Sequence, residues 1–239
     1  MSKRPAILIT GAARRVGAAL ALYFARYGYD IALHYNSSKA DATKLKIKIE
    51  KLGAQCTLFH QDLSDIEALP RFMQDVRTYV RNCTALINNA SIFERAEFMD
   101  TDEALFDRQF AVNFKAPFFL TQAFATTFGK GCVIHMLDTY IQQNEGSHFA
   151  YLLSKKTLAE FTTMAARALG PEIRVNGICP TIMLPSEYYD EAYMKNKAQL
   201  LPLKRLPVAE EVAAAAYWLC ESKAITGQLL FPDGGHHLL

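Results

Sequence analysis

The chain has 239 residues, 51% of them hydrophobic and 21% charged, which suits one sizeable packed domain and argues against a disordered chain. Its net charge of +2 comes with no basic stripe and no interleaving of aromatic and basic residues, so nothing favours a nucleic-acid partner. The five cysteines (Cys56, Cys83, Cys132, Cys179, Cys220) are scattered, odd in number and without a Cys-x-x-Cys pair, and read as free thiols of a reducing compartment.

In chain order, the basic start Met1-Ser2-Lys3-Arg4-Pro5 precedes an apolar run, 6–9, too short for a signal or membrane segment, so the expected location is the cytoplasm. Residues 6–10 read as a buried strand, and Val16, Leu20, Phe24 and Tyr27 follow at helical spacing. Strands are expected at 30–34, 55–60, 85–88, 132–137, 173–178 and 228–231. Helices are expected at 39–52, at 66–81 with Pro70 in the first turn, within 104–128 with a break before Pro117, at 151–169 and at 209–220. This alternation predicts a single doubly wound α/β domain over 1–239, with a mostly parallel, seven-stranded Rossmann-type sheet. The one long irregular stretch, 181–207, reads as a loop that covers a ligand.

Thr10-Gly11-Ala12-Ala13-Arg14-Arg15-Val16-Gly17 joins the first strand to the first helix. Gly11 permits a tight turn, Gly17 permits close packing, and the helix N-terminus offers N–H groups to a pyrophosphate. The second strand runs into His34-Tyr35-Asn36-Ser37-Ser38, with no acid to hold the ribose hydroxyls of NAD. Arg14 and the Ser37 and Ser38 hydroxyls suit a 2′-phosphate, so the expected cofactor is NADPH. Asp62, followed by Leu63, either reaches the adenine or caps the helix ahead of Ile66, and Asn88-Asn89-Ala90 ends the fourth strand on the ligand side of the sheet.

Tyr151 and Lys155, four residues apart, share one helix face. A lysine charge beside a phenol lowers its pKa and makes Tyr151 a proton donor for hydride addition to a C=N or C=O bond. Taken with Asn113, Arg174-Val175-Asn176 and Asp233-Gly234-Gly235, in this order over essentially the whole chain, these motifs resemble the short-chain dehydrogenase/reductase family. The resemblance implies that Asn113 holds a helix bend and a relay water, that Lys155 also binds the nicotinamide ribose, and that Pro180 and Ile182 flank the nicotinamide. It further implies a homotetramer, with which the 209–220 helix and Phe231-Pro232 are compatible, as they are with a monomer core.

Two departures are informative. Arg15 stands where the family's turn has glycine, and Asp138 stands where a serine precedes the tyrosine. Both resemble the pteridine reductase branch, which includes the bacterial dihydromonapterin reductases, as do His34-Tyr35, Asn89-Ala90-Ser91-Ile92-Phe93 and Phe231-Pro232-Asp233-Gly234-Gly235-His236. An ionised aspartate accepts from N–H groups such as those of a pterin, and a protonated one passes a proton through Tyr151. Phe93 would stack on a flat heterocycle opposite the nicotinamide, Ser91 would hydrogen-bond nearby, and Arg15 would meet the cofactor phosphates or the pterin edge. Against these stand plainer readings: a turn cap for Asp138, core packing for Phe93, phosphate binding alone for Arg15. His236-His237 lacks a third placed ligand, so no metal is expected.

The expected reaction is reduction of a 7,8-dihydropterin at its N5=C6 imine, with dihydromonapterin the first choice, then dihydrobiopterin and dihydrofolate. Met183, Leu184, Tyr188 and Tyr189 of the 181–207 loop would close over the substrate. The rival enzyme reading is a carbonyl or 3-oxoacyl reductase. A third is an NADPH-sensing protein without turnover, against which the Tyr151/Lys155 pair argues.

Overall fold

A computed structural model describes residues 4–144, 146–185 and 189–239. Among them, seven strands form one sheet in the order β3-β2-β1-β4-β5-β6-β7, and every neighbouring pair is parallel. The strands are β1 (Ala6–Ile9), β2 (Asp30–Tyr35), β3 (Cys56–His60), β4 (Cys83–Asn88), β5 (Gly131–Met136), β6 (Ile173–Ile178) and β7 (Leu229–Leu230). The central strands are apolar at consecutive positions because both faces are covered: Ile7 and Ile9 pack into one core, Leu8 into the other.

One face carries α1 (Arg15–Arg26), α2 (Lys39–Lys51) and α8 (Ala209–Glu221), whose Leu20, Phe24, Leu45, Ile49, Val212 and Leu219 meet the sheet. The other carries α3 (Leu69–Tyr79), α5 (Ala116–Phe128) and α6 (Phe149–Leu169), with Phe72, Met73, Leu120, Phe124, Ala165 and Ala166 inside. The strand order reverses between β1 and β4, and the crevice at their carboxyl ends is where such sheets hold ligands.

Three expectations change. The 104–128 stretch does not break before Pro117: α4 (Glu103–Phe110) continues through one π turn (Ala111–Lys115) into α5, and Pro117 follows directly on the π turn, which takes up the irregularity. The 66–81 stretch starts as a 3-10 turn (Ile66–Ala68), capped by Asp65, before α3. The 181–207 stretch is not irregular throughout, because it holds α7 (Glu191–Leu200), whose N-cap Asp190 accepts from the Tyr193 N–H. No helix among the described residues is long and apolar enough to cross a membrane.

Candidate active site

A groove of about 580 Å³ runs along the carboxyl ends of β1, β2 and β4, from Asn36, Ser37 and Ser38, past Asp62 and Leu63, to Phe93 and Tyr151. Its floor is the turn 11–17. Gly11 has φ +60, and a Cβ there would stand 2.9 Å from the Ala90 Cα. A Cβ on Gly17 would stand 2.3 Å from the Gly11 carbonyl oxygen, so the first turn of α1 comes this close only with glycine. Asn89 ties the turn to β4, its amide donating to the Thr10 and Gly11 carbonyls at 2.8 and 3.2 Å. His34 does the same from β2: Gly11 N–H donates to Nδ1 at 2.9 Å, so the proton sits on Nε2 and is donated to the Gln61 carbonyl at 2.9 Å. Burial lowers the His34 pKa to about 4, which keeps this neutral tautomer.

The α1 N-cap, Arg14, makes no side-chain cap hydrogen bond, so the first-turn N–H groups have no capping side chain on the groove side. An extended dinucleotide fits this arrangement: amides for a pyrophosphate in the middle, and Arg14, Ser37 and Ser38 at one end of the lining. Arg14 is exposed and lies 3.8 Å from Asp41. Asp62 does not cap a helix. Its Oδ1 accepts from the Ser64 N–H and hydroxyl, which holds its pKa below the carboxylate range, and Asp65 caps instead.

Arg15 has φ +53, the left-handed conformation that explains why glycine is the ordinary residue at this place. Its guanidinium does not turn to the groove floor alone: it donates to the Pro185 carbonyl at 2.8 Å and to the Leu184 carbonyl at 3.3 Å. Arg15 therefore ties Leu184 and Pro185 to the turn 11–17.

At the other end of the groove, Tyr151 Oη donates to Asp138 Oδ2 at 2.9 Å. Asp138 Oδ1 accepts the Tyr140 N–H at 2.9 Å, so this carboxylate both caps the 3-10 turn (Thr139–Gln142) and holds the phenol. The expectation that Lys155 lowers the Tyr151 pKa is corrected. Burial, then the Asp138 charge and its hydrogen bond, hold the phenol well above its ordinary value. Lys155 instead donates to the Met136 carbonyl at 2.8 Å, with its ammonium 5.7 Å from the Tyr151 ring centre. Burial lowers the Lys155 pKa to about 8, with Asp138 pulling the other way. The resting phenol is neutral, with Asp138 and Lys155 both beside it.

Asn113 sits in the π turn, and its side chain ties that turn to the 91–92 segment. Oδ1 accepts from Ile92 N–H and Ser91 Oγ, and Nδ2 donates to the Ile92 carbonyl. Its effect is to fix Ser91 and Ile92 beside the groove. Phe93 follows, edge-on to Tyr151 at 4.7 Å between ring centres. It is half-buried and not core packing. One face is stacked by His148 at 4.1 Å, so at least one face is already occupied by protein.

Asp138, Lys155, Pro180, Ile182, Met183 and Leu184 are not part of the groove lining. Pro180 accepts the Thr139 N–H at 3.0 Å, beside Asp138, and Met183 packs against the core under α1 and α8. Tyr188 lies outside the described residues.

Sequence reasoning missed His148 and Tyr140, and named the C-terminal histidines without placing them beside the site. His236 is buried, bonds Thr181 Oγ1 at 2.7 Å and meets the Tyr140 ring edge-on at 4.8 Å. Buried Asp233 accepts from Thr139 Oγ1 at 2.6 Å and from the His237 N–H and ring. The C-terminus thus forms a wall behind Asp138 and is no loose tail. The signal in sequence was the polar run Asp233 to His237 after a strand, which reads as a tail rather than as part of the site. No cluster of metal-ligating side chains occurs among the described residues.

Comparison with known proteins agrees with this geometry. A family model described as "Enoyl-(Acyl carrier protein) reductase" of the short-chain dehydrogenase type matches residues 11–237. The chain is 30% identical over 237 residues to a dihydromonapterin reductase of Klebsiella pneumoniae, covering 97% of this chain and 96% of that one. It is 31% identical to the enzyme of the same name from Escherichia coli, over 97% and 96% of the two chains. Among solved structures, FolM alternative dihydrofolate reductase 1 from Brucella suis in complex with NADP superposes with a TM-score of 0.93 at 32% identity, covering 99% of this chain and 96% of that chain. The chain belongs to the short-chain dehydrogenase/reductase family of oxidoreductases.

Proposed function

We propose that this chain is an NADPH-dependent reductase of 7,8-dihydropterins, with dihydromonapterin the first candidate, then dihydrobiopterin and dihydrofolate. The observation that carries the reading is the Asp138 carboxylate bonded at 2.9 Å to Tyr151, in the place where a keto-reducing site has a hydroxyl donor. The names of the relatives, dihydromonapterin reductase and alternative dihydrofolate reductase in complex with NADP, support the same substrate class and cofactor.

In this reading, NADPH supplies the hydride that reduces C6 of the substrate's N5=C6 imine. The α1 amides with Arg14, Ser37 and Ser38 would hold the phosphates, and Lys155 would hold the nicotinamide ribose. Pro180 and Ile182 would lie beside the nicotinamide ring. Asp138 accepts N–H groups of the pterin, which a ketone lacks, and so selects and orients the ring. Phe93 and Ser91, fixed through Asn113, set its edge and face. Tyr151 Oη carries the proton that reaches N5, and the raised pKa keeps it there until N5 gains negative charge. Leu184 and Pro185, held by Arg15, would close over the bound substrate and exclude water.

The test is NADPH oxidation by the purified chain with dihydromonapterin, dihydrobiopterin, dihydrofolate and a keto ester side by side. Turnover of dihydropterins above the keto ester supports the proposal, and the reverse order refutes it. A homotetramer in the cytoplasm completes the proposal. Exposed Phe98, Met99 and Phe149, with the Phe98 and Phe149 ring centres 5.0 Å apart, support self-association, which light scattering reads directly.

A further inference from the structure

We infer that Lys197, on α7 of the covering segment, binds an anionic group carried by the side chain of the substrate. The inference rests on the dihydropterin reading and deepens it, since nothing above says which residue meets the part of the molecule beyond the ring.

Two paths lead from Lys197 towards the proton donor, one by helix spacing and aromatic rings, one by direct polar contact. The first is aromatic. Phe93 meets Tyr151 edge-on at 4.7 Å, Tyr189 lies 6.5 Å from Phe93, and Tyr193 stacks on Tyr189 at 4.4 Å. Lys197 stands four residues beyond Tyr193 on the same helix, hence on the same face. The second path is polar. Lys197 Nζ donates to Tyr140 Oη at 3.2 Å and lies 5.4 Å from that ring centre, and the Tyr140 N–H donates to Asp138. A substituent leaving the pterin between Phe93 and Asp138 would therefore travel along aromatic rings towards a cation.

The electrostatics of the position leave room for an anion. Lys197 is half-buried, and burial alone lowers its pKa. No carboxylate lies within 4.0 Å of its ammonium among the described residues, although Asp233, on the neighbouring C-terminal wall, pairs with His237. His236, the other titratable group against Tyr140, is pushed down to about 4 by burial and brings no charge near neutral pH. A partly desolvated ammonium with one weak acceptor is costly unless an opposite charge joins it. Tyr140 takes one of its three N–H groups, and two remain for a carboxylate or a phosphate. An aryl spacer in the side chain would stack on Tyr189 and Tyr193 on the way.

The experiment compares kcat/KM for three dihydropterins: dihydromonapterin with its neutral polyol, the phosphate ester of that polyol, and dihydrofolate with its carboxylates. Each is measured in wild type, Lys197→Met and Lys197→Arg, at low and high salt. Binding of the corresponding oxidised pterins to the NADP⁺-loaded protein is followed by fluorescence. The expected result is a fall of about tenfold in the anionic-to-neutral ratio in Lys197→Met, mostly through KM, with the ratio largely kept in Lys197→Arg and reduced by salt in wild type. The phosphate and carboxylate arms tell which anion is read. Equal losses on all three substrates, or an unchanged ratio, overturn the inference while leaving dihydropterin reduction standing. Failure of every pterin to bind or turn over overturns the functional reading and this inference together.

Discussion

Replacing Asp138 with serine isolates the carboxylate from the other work that this residue does. Oδ1 caps the 3-10 turn through the Tyr140 N–H, and serine is an equally good N-cap, so the backbone there should hold with little loss of stability. What disappears is the charged acceptor 2.9 Å from Tyr151 Oη and the group that would receive the pterin N–H. A hydrogen bond to a charged group contributes about 1.5–3 kcal/mol, which corresponds to roughly a 10- to 100-fold loss of kcat with a dihydropterin. Asp138 is also one of the causes that raise the Tyr151 pKa and the Lys155 pKa, so both groups should titrate lower in the variant. The assay is NADPH oxidation against pH, with thermal unfolding as the check on folding. Full dihydropterin activity in a folded Asp138→Ser variant would refute the reasoning. So would a gain confined to keto substrates with no loss on pterins, because it would place the carboxylate outside the pterin's reach.

Three further outcomes are expected. Gly17→Ala would put a Cβ 2.3 Å from the Gly11 carbonyl, an overlap that backbone movement relieves at about 1–3 kcal/mol, so NADPH affinity and the melting temperature should both fall; unchanged NADPH titration would contradict the close-packed turn. Arg15→Gly removes a left-handed non-glycine residue but also the bonds to Leu184 and Pro185, so the melting temperature should change little while KM for the pterin rises several-fold; an unaltered KM would show that these bonds are idle. Lys155 carries its charge below a pKa of about 8, so activity should decline as pH rises through that value; a flat profile from neutral pH to the ordinary lysine range would count against a working ammonium.

Much of this site was readable because its elements announce themselves in local chemistry. Gly11 and Gly17 mark a turn whose backbone admits no side chain at either place, and Tyr151 and Lys155 are one helical turn apart at the start of a helix. The departure at Asp138 was legible as a change of hydrogen-bonding capacity, from donor to acceptor. Arg15 was only half legible. Its side chain was assigned to phosphate or pterin, whereas its partners are backbone carbonyls some 170 residues away, and no local pattern encodes such a pairing. The same holds for the bonds of His34 to Gly11 and Gln61, and for His148, whose ring covers Phe93 from the cap of α6. The π turn reads as a broken helix because Pro117 argues for a stop; in the structure the helix runs on through the π turn, and the proline follows it at the start of α5. Asp190 before Glu191 was a helix-start signal inside the supposed loop, overlooked because aromatic and charged residues there blurred the apolar periodicity.

The most direct test follows the hydride itself. A single turnover with NADPH deuterated at the transferable position of nicotinamide C4, using a 7,8-dihydropterin, should yield tetrahydropterin carrying one deuterium on C6, and Asp138→Ser should slow its appearance. A product without deuterium on the pterin ring, or deuterium appearing only in the alcohol of a competing keto substrate, would contradict the account.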